Sequence, residues 1–258
     1  MTAGTTRALC IAATGDMFSC AHSFKFQKTV GIAGRGSEGP LVIFDCNGVL
    51  VDSEPIAAAV LADAFKRIGI AVTAETILRR FQGRRPSDIF AAVSAAANTA
   101  IPPNFAGDVA AETLRRLRTE LRAVTHAAHA LTWIRGPKAV ASSSSPERIR
   151  LSLEVTGLIR FFETRLYSAS SVHRGKPAPD LFLLAATRNH VDPSQCIVVE
   201  DSAPGIAAAV EAGMTPIGFV GGSDMPGWLA AELTARGARA VVADMRALKS
   251  AITDLRGW

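Results

Sequence analysis

After residue 40, short apolar runs recur along the chain and break off at polar or small residues. Five of them have the length of buried strands: Leu41–Phe44, Lys138–Ala141, Cys196–Val199, Thr215–Val220 and Ala240–Val242. The first three are followed directly by Asp45, Ser142 and Glu200. The pattern therefore predicts strands that carry polar side chains at their carboxyl ends.

Helical segments separate these runs, namely Pro146–Val155, Pro179–Arg188 and Ala203–Ala212. Gly157 and Gly213 follow two of them, at the position where a glycine commonly ends a helix. Strands that alternate with helices predict an α/β fold with a doubly wound, Rossmann-like parallel sheet. Because ligands of such sheets bind outside the carboxyl ends of the strands, we expect the polar residues found there to converge on one site.

The interval from Glu54 to about Val124 departs from this alternation, because it has helical periodicity and no convincing strand. Its apolar residues fall on one helix face at Ala57, Leu61, Ala64, Phe65 and Ile68, and again at Ile89, Phe90 and Val93. The interval begins nine residues after Asp45, so we expect an inserted all-helical cap that closes over the end of the first strand. The predicted division is an α/β core at 41–54 and 125–258 and a helical cap at 55–124.

The first forty residues lack sustained periodicity, and 31–40 are rich in glycine, which predicts a poorly ordered N-terminal extension over 1–40. The apolar stretch Ala8–Ala13 is shorter than the roughly 7 to 15 residues of a signal-peptide core. We therefore expect a cytoplasmic protein. No apolar run approaches the roughly 18 to 20 residues of a membrane span, so no membrane association is expected.

Composition narrows the class of partner. With 48% hydrophobic residues the chain can bury a substantial core, which excludes disorder over most of its length. The net charge of +5 over 258 residues is mild, and only 6% of the residues are aromatic. Arg115, Arg118 and Arg122 would form a basic helix face without interleaved aromatic residues, so we interpret that face as solvated and expect no nucleic-acid partner. A monomer or weak homodimer is the expected state.

Cysteine spacing excludes two further kinds of site. The four cysteines stand at positions 10, 20, 46 and 196, with no C-x-x-C pair and no regular framework. Structural zinc sites and disulfide scaffolds are therefore not expected, and a reducing compartment is the default.

Four motifs occur in order between residues 41 and 242. They are DCNGVLVDSE at 45–54, the serine run at 142–145, GKPAPD at 175–180 and VEDSAPG at 199–205. Together they resemble the haloacid dehalogenase-like phosphohydrolases, in particular the branch with phosphoglycolate phosphatase, beta-phosphoglucomutase and sugar-phosphate phosphatases. The resemblance implies a phosphatase of a small phosphorylated metabolite, such as a sugar phosphate, that works through an aspartyl-phosphate intermediate.

The same resemblance implies roles for single residues. Asp45 would be the nucleophile that attacks phosphorus, which divides one difficult displacement into two easier ones. Lys176 would bridge this carboxylate and the phosphoryl group, and the Ser142 hydroxyl would hold a phosphoryl oxygen. The backbone N–H groups that follow, beginning with Ser143, offer an anion-binding turn before Pro146.

A metal site is the other expectation. Asp45, Glu200 and Asp201 would concentrate negative charge around one point, and a hard divalent cation removes the cost of their repulsion. Magnesium is therefore the expected cofactor. The resemblance makes Asp45 and Asp201 direct ligands together with the backbone carbonyl of Asn47, and Glu200 a ligand through water.

Asn47 departs from the family pattern. Two residues after the nucleophile, the phosphatases and mutases of the family carry an aspartate that protonates the leaving oxygen and then activates water. An amide cannot exchange that proton, so general acid–base catalysis worth about 10² to 10⁴ in rate should be missing. An engineered substitution, a natural variant of diminished activity, and an asparagine that deamidates before Gly48 are three explanations.

The departure leaves alternative functions open. One is a catalytically impaired phosphate-binding or regulatory protein, and another is a phosphomutase similar to beta-phosphoglucomutase. Dehalogenase chemistry is disfavoured, because dehalogenases of the superfamily lack the magnesium site that Glu200 and Asp201 supply. Substrate specificity is expected to come from the cap, where Arg84 and Arg85 could present a guanidinium to an anionic or hydroxylated substrate. His126 and His129 are interpreted as polar residues on an exposed helix.

Overall fold

The computed structural model describes residues 39–81, 84, 86–223 and 225–256. Within them, six strands form one sheet: β1 (Leu41–Phe44), β2 (Lys138–Ser142), β3 (Leu166–Ser168), β4 (Cys196–Glu200), β5 (Thr215–Phe219) and β6 (Ala240–Val242). The strands are all parallel, and their order is β3-β2-β1-β4-β5-β6. The predicted doubly wound parallel sheet is confirmed.

The sequence missed one strand. β3 has three residues and lies at the edge of the sheet, with Leu166 and Tyr167 partly exposed. Its sequence, Leu-Tyr-Ser, contains no run of three apolar residues, whereas β6, which is equally short and also lies at an edge, reads Ala-Val-Val.

The sequence of the central strand β1 is apolar throughout because the strand is buried on both faces of the sheet. Val42 and Phe44 pack into a cluster on one face of the sheet, while Leu41 and Ile43 pack into a cluster on the other. Both faces of β1 are therefore covered, and every residue of the strand is buried. Helices supply the cover: α5 (Ala127–Trp133), α6 (Pro146–Val155), α7 (Asp180–Arg188), α8 (Ala203–Glu211), α9 (Leu229–Ala235) and α10 (Leu248–Arg256).

Register aligns the strand ends that matter for function. Phe44 of β1 pairs with Val140 of β2 on one side and with Val199 of β4 on the other. The backbone N–H of Asp45 then donates to the Val199 carbonyl at 2.9 Å. The residues that follow these three central strands consequently start from the same edge of the sheet.

Four further helices lie between β1 and α5. They are α1 (Glu54–Arg67), α2 (Ala74–Phe81), α3 (Pro86–Ala97) and α4 (Phe105–Glu120). We call residues 54–120 the helical segment. It has its own apolar cluster, in which the rings of Phe65, Phe90 and Phe105 lie 5.1 to 6.3 Å apart between centroids. The limits of 55–124 as a separate cap domain remain a prediction.

The expected 1–40 extension lies outside the described residues except for Gly39 and Pro40. In the described part of the chain, no helix combines the length and the apolar character needed to cross a bilayer. The predicted basic face on α4 is exposed, but Arg122 lies beyond the end of the helix, and Arg115 forms an ion pair with Glu112 at 2.7 Å.

Candidate active site

Three acidic residues meet at the carboxyl edge of the sheet. Asp45 follows β1, Glu200 is the last residue of β4, and Asp201 comes next. All three are buried, and carboxylate oxygens of the three lie within 4.8 Å of one another. The structure thus brings together the three carboxylates of the predicted metal site.

Lys176 lies in this cluster of acidic residues. Its Nζ donates to Asp45 Oδ1 at 2.5 Å, to Glu200 Oε2 at 2.7 Å and to the carbonyl of Ala141 at 3.1 Å. The lysine side chain is 5% exposed, so these are contacts shielded from solvent. The motif GKPAPD therefore places its lysine against the predicted nucleophile.

Burial is the largest single influence on the pKa of Asp45, Asp201 and Lys176, and neighbouring charges add to it or oppose it. Burial raises the pKa of Asp45 to about 7, and the charge of Glu200 adds to the rise while Lys176 opposes it. Burial, Glu200 and Asp45 together raise the pKa of Asp201. Burial alone would lower the pKa of Lys176, but its ion pairs with Asp45 and Glu200 hold that pKa above the ordinary value. The single positive charge of Lys176 does not neutralise the negative charge that three buried carboxylates can carry.

The donor set fits a hard divalent cation. Glu200 Oε1 accepts from the Ser202 hydroxyl at 2.7 Å and Oε2 accepts from Lys176, so both of its oxygens are engaged. This arrangement agrees with a role for Glu200 through water, and it leaves Asp45 and Asp201 as the carboxylates for direct ligation. Magnesium prefers such oxygen donors and retains several of its waters.

Gly48 is required by the close approach of Asp201. Its φ is +75°, in the left-handed region, and a Cβ built there would lie 2.1 Å from Asp201 Oδ2. A side chain would displace that carboxylate. The glycine after Asn47 thus shapes the acidic cluster itself.

The serine run forms the second side of the site. Ser142 ends β2 and is buried, and its Oγ accepts from the backbone N–H of Ser144 at 3.3 Å. Ser143 is exposed and borders the site. Ser145 caps α6, accepting from the N–H of Arg148 at 3.3 Å. Ser143, Ser144 and Ser145 thus line the same cavity as the carboxylates, at the start of α6.

Asn47 bridges two parts of the chain. Its Nδ2 donates to Ser144 Oγ at 2.9 Å, and its Oδ1 accepts from Ser53 Oγ at 2.9 Å. The amide therefore connects the start of the helical segment to the serine run. Both ends of the side chain are engaged, and neither can supply a proton to a leaving group.

A cavity of about 490 Å³ opens onto these groups. Asp45, Asn47, Lys176, Glu200 and Asp201 all line it, and residues from each of α1 to α4 line the remainder. Most of the predicted site residues and the helical segment therefore line one cavity, whereas Ser142 is buried and does not line it.

Comparison with known proteins gives the family. The sequence profile of the haloacid dehalogenase-like hydrolases matches residues 40–213. The chain belongs to this hydrolase family. It is 32% identical over 174 residues to 6-phosphogluconate phosphatase from Escherichia coli, a match that covers 67% of this chain and 79% of that protein.

Solved structures agree with the assignment of this hydrolase. A haloacid dehalogenase-like protein from Agrobacterium tumefaciens is 34% identical with a TM-score of 0.77, covering 84% of this chain and 99% of that one. A family hydrolase from Deinococcus radiodurans, solved with phosphate and sodium bound, is 32% identical with a TM-score of 0.69, covering 85% and 97%.

The hydrolase also has site residues that sequence reasoning missed. Arg148 lines the cavity and its Nη2 donates to Ser53 Oγ at 3.3 Å, while its Nε is buried without a hydrogen-bond partner among the described residues. Glu54 also lines the cavity, and burial raises its pKa. The only available signal was their position, since Glu54 is the last residue of the first motif and Arg148 lies three residues after the serine run. The contacts that distinguish them are tertiary.

The remaining predicted residues divide between the cavity and other parts of the surface. Arg84 is exposed and lines the cavity between α2 and α3, whereas Arg85 lies outside the described residues. His126 and His129 are exposed at α5 and do not border the cavity. His126 Nδ1 lies 3.2 Å from Asp244 Oδ1. These histidines therefore take no part in the site.

Proposed function

We propose that this hydrolase is a magnesium-dependent phosphomonoesterase that acts on a small phosphorylated metabolite through an aspartyl-phosphate on Asp45. The observation that carries the proposal is the contact of Lys176 with Asp45 and Glu200 beside Asp201, at the end of a cavity. A phosphatase relative supports the reaction class, because 6-phosphogluconate phosphatase matches two thirds of this chain.

The first step transfers the phosphoryl group. Asp45 attacks phosphorus through one carboxylate oxygen, and the contact of Lys176 with Oδ1 positions that carboxylate. The bond between phosphorus and the ester oxygen breaks, and the alcohol leaves after taking up a proton. Lys176, the Ser142 hydroxyl and the N–H groups after it would offset the charge on the phosphoryl oxygens.

The second step removes the phosphoryl group. A water oxygen attacks phosphorus, the acyl-phosphate bond breaks, and inorganic phosphate leaves Asp45 as a free carboxylate. Asp45, Asp201 and the backbone carbonyl of Asn47 would hold magnesium, with Glu200 bound through water. When bound, the ion neutralises the carboxylates and the charge on the phosphoryl oxygens.

Asn47 makes both proton transfers slow. The leaving alcohol must be protonated and the attacking water deprotonated, and the Asn47 amide can do neither. Aspartate has the same shape, and the hydroxyls of Ser53 and Ser144 can both donate to it. We therefore expect Asn47→Asp to fit the site without rearrangement and to raise kcat by about 10² to 10⁴.

The test is a phosphate-release assay on a panel of phosphorylated metabolites with magnesium or a chelator. The chain as given, Asn47→Asp and Asp45→Asn are compared side by side. Magnesium-dependent turnover that rises in Asn47→Asp and disappears in Asp45→Asn is expected. Turnover that survives the chelator or the loss of Asp45 would contradict the proposed site.

Asn47 also favours a second candidate, a phosphate-binding or regulatory protein of this fold. It predicts that the chain binds phosphate esters in the presence of magnesium and that Asn47→Asp adds no turnover on any ester in the panel. Calorimetric binding measured beside the assay separates the two candidates.

A further inference from the structure

We propose that the substrate is a phosphate monoester whose alcohol part is apolar, held against the helical segment. This inference rests on the proposed phosphatase function and names its substrate class. The observation behind it is the chemistry of the cavity wall opposite the carboxylates, which differs from what a sugar requires.

Helix α4 presents an apolar stripe to the cavity. Ala106, Ala110 and Leu114 are spaced at i, i+4 and i+8, and all three line the cavity. Ala106 and Ala110 are exposed and Leu114 is half-buried, and none of the three belongs to the apolar cluster of the helical segment. The cavity is therefore the space that these side chains face.

The other three helices continue the apolar wall. Ala57 and Leu61 of α1, Leu78 and Phe81 of α2, and Phe90 of α3 line the same cavity. All except Leu61 are half-buried, so part of their apolar surface is open to a ligand. All four helices thus contribute apolar surface to one space.

Polar groups of the helical segment that line the cavity are few, and some are already engaged. Thr113 donates its hydroxyl to the carbonyl of Val109 at 2.7 Å. Glu54 lies within electrostatic range of Arg148, and Arg84 is exposed to solvent. Ser87 is exposed, 3.5 Å from the Asp88 carboxylate. Among the described residues, the helical segment therefore offers three side chains, Glu54, Arg84 and Ser87, to the four free hydroxyls of a sugar phosphate such as glucose 6-phosphate, and the rest of its lining is apolar.

The energetic comparison favours an apolar alcohol. Each hydroxyl that is removed from water without a partner lowers affinity by about tenfold. Each methylene buried against the wall instead raises affinity by up to about fourfold. Both effects therefore favour the binding of an apolar alcohol part over a hydroxylated one at this wall.

The phosphate end fixes the occupant as a phosphate ester. Asp45, Lys176, Ser143 and Asp201 line the same cavity as Leu114 and Phe90 do. A ligand that places phosphorus beside Asp45 must therefore extend its alcohol part into the remaining space. The wall and the reacting groups belong to one site.

A matched pair of substrates tests the inference. n-Hexyl phosphate and glucose 6-phosphate are both esters of primary alcohols with six carbons, and they differ in the sugar ring and its hydroxyls. We expect a kcat/KM at least tenfold higher for n-hexyl phosphate, in the full chain and in Asn47→Asp. Along ethyl, butyl and hexyl phosphate, kcat/KM should rise by up to about fourfold per methylene, the change that corresponds to about 0.8 kcal/mol.

Two leucine variants locate the effect. Leu114→Asn places an amide on the wall and should lower kcat/KM for n-hexyl phosphate at least fivefold while leaving that for ethyl phosphate within twofold. Leu183→Asn is the matched control, because Leu183 on α7 is 36% exposed and does not line the cavity. It should change neither value.

Several outcomes would overturn the inference while leaving the phosphatase proposal intact. These are a preference for glucose 6-phosphate, a flat alkyl series, or equal effects of Leu114→Asn and Leu183→Asn. If neither form hydrolyses any ester, calorimetry with n-hexyl phosphate and glucose 6-phosphate decides. Tighter binding of n-hexyl phosphate supports the inference without the activity, and binding of neither contradicts both proposals.

Discussion

At the scale of single residues, the site depends on close approaches that a sequence only partly reveals. The motifs identified Asp45, Lys176, Glu200 and Asp201, which lie at the ends of β1 and β4 and, for Lys176, in the turn before α7. The bridge from Asn47 to Ser53 and Ser144 could not be predicted, since it joins side chains up to 97 positions apart. The sequence therefore revealed the site residues that neighbouring strands and helices position. It did not reveal contacts between side chains that are far apart in the chain.

Gly48 gives the residue-scale prediction. Gly48→Ala should cost roughly 1 to 2 kcal/mol for the left-handed backbone and should also displace Asp201, so that magnesium-dependent turnover is lost. Gly69→Ala is the control, because Gly69 has φ +81° and open space around its Cβ position. Its cost should be limited to the backbone, with turnover unchanged. Urea unfolding and phosphate release measure both, and equal behaviour of the two variants would contradict the role of Gly48.

At the scale of elements, the N-termini of helices position residues of the site, as the carboxyl ends of the strands do. Ser202 caps α8 by accepting from the Gly205 N–H at 3.2 Å, and the same hydroxyl donates to Glu200. Ser145 caps α6 beside the cavity. Strand and helix periodicity predicted most of the strands and helices. The sequence missed β3, because Leu-Tyr-Ser contains no run of three apolar residues.

Ser202 gives the element-scale prediction. Ser202→Ala should lower the free energy of unfolding by about 2 to 4 kcal/mol, because it removes a helix cap and a hydrogen bond to a buried carboxylate. It should also lower kcat, since Glu200 loses a positioning contact. Thr73→Ala, which removes the bond to the Thr76 N–H at the start of α2, should cost only about 1 kcal/mol and leave kcat unchanged. A similar loss in the two variants would show that the Glu200 contact adds nothing.

At the scale of the whole molecule, the acidic cluster of Asp45, Glu200 and Asp201 affects both the stability of the fold and the proposed reaction. Burial and mutual repulsion raise the pKa of both Asp45 and Asp201, so the metal-free fold carries a cost that a cation removes. The sequence predicted the sheet and the helical insertion. It did not predict which apolar side chains face the cavity, because Ala106, Ala110 and Leu114 have the same helical periodicity as residues of the apolar cluster.

Magnesium should therefore stabilise the whole chain. At a concentration of about 100 times Kd, the ion should raise the free energy of unfolding by about 2.7 kcal/mol. Asp201→Asn should be at least as stable as the parent chain in a chelator, because one repelling carboxylate is gone, and should gain nothing from magnesium. Thermal unfolding with and without the ion measures this. An equal gain in both proteins would place the metal elsewhere.

The most direct measurement is the identification of the phosphorylated residue. The chain is mixed with magnesium and the phosphate ester that its panel assay favours, quenched in acid and mapped by peptide mass spectrometry. Because Asn47 slows both formation and hydrolysis of the intermediate, we expect a phosphoryl group on Asp45 that forms and decays slowly in the chain as given, forms and decays faster in Asn47→Asp and is absent from Asp45→Asn. Turnover with no phosphoryl group on Asp45 in any sample, or with the group on another residue, would contradict it.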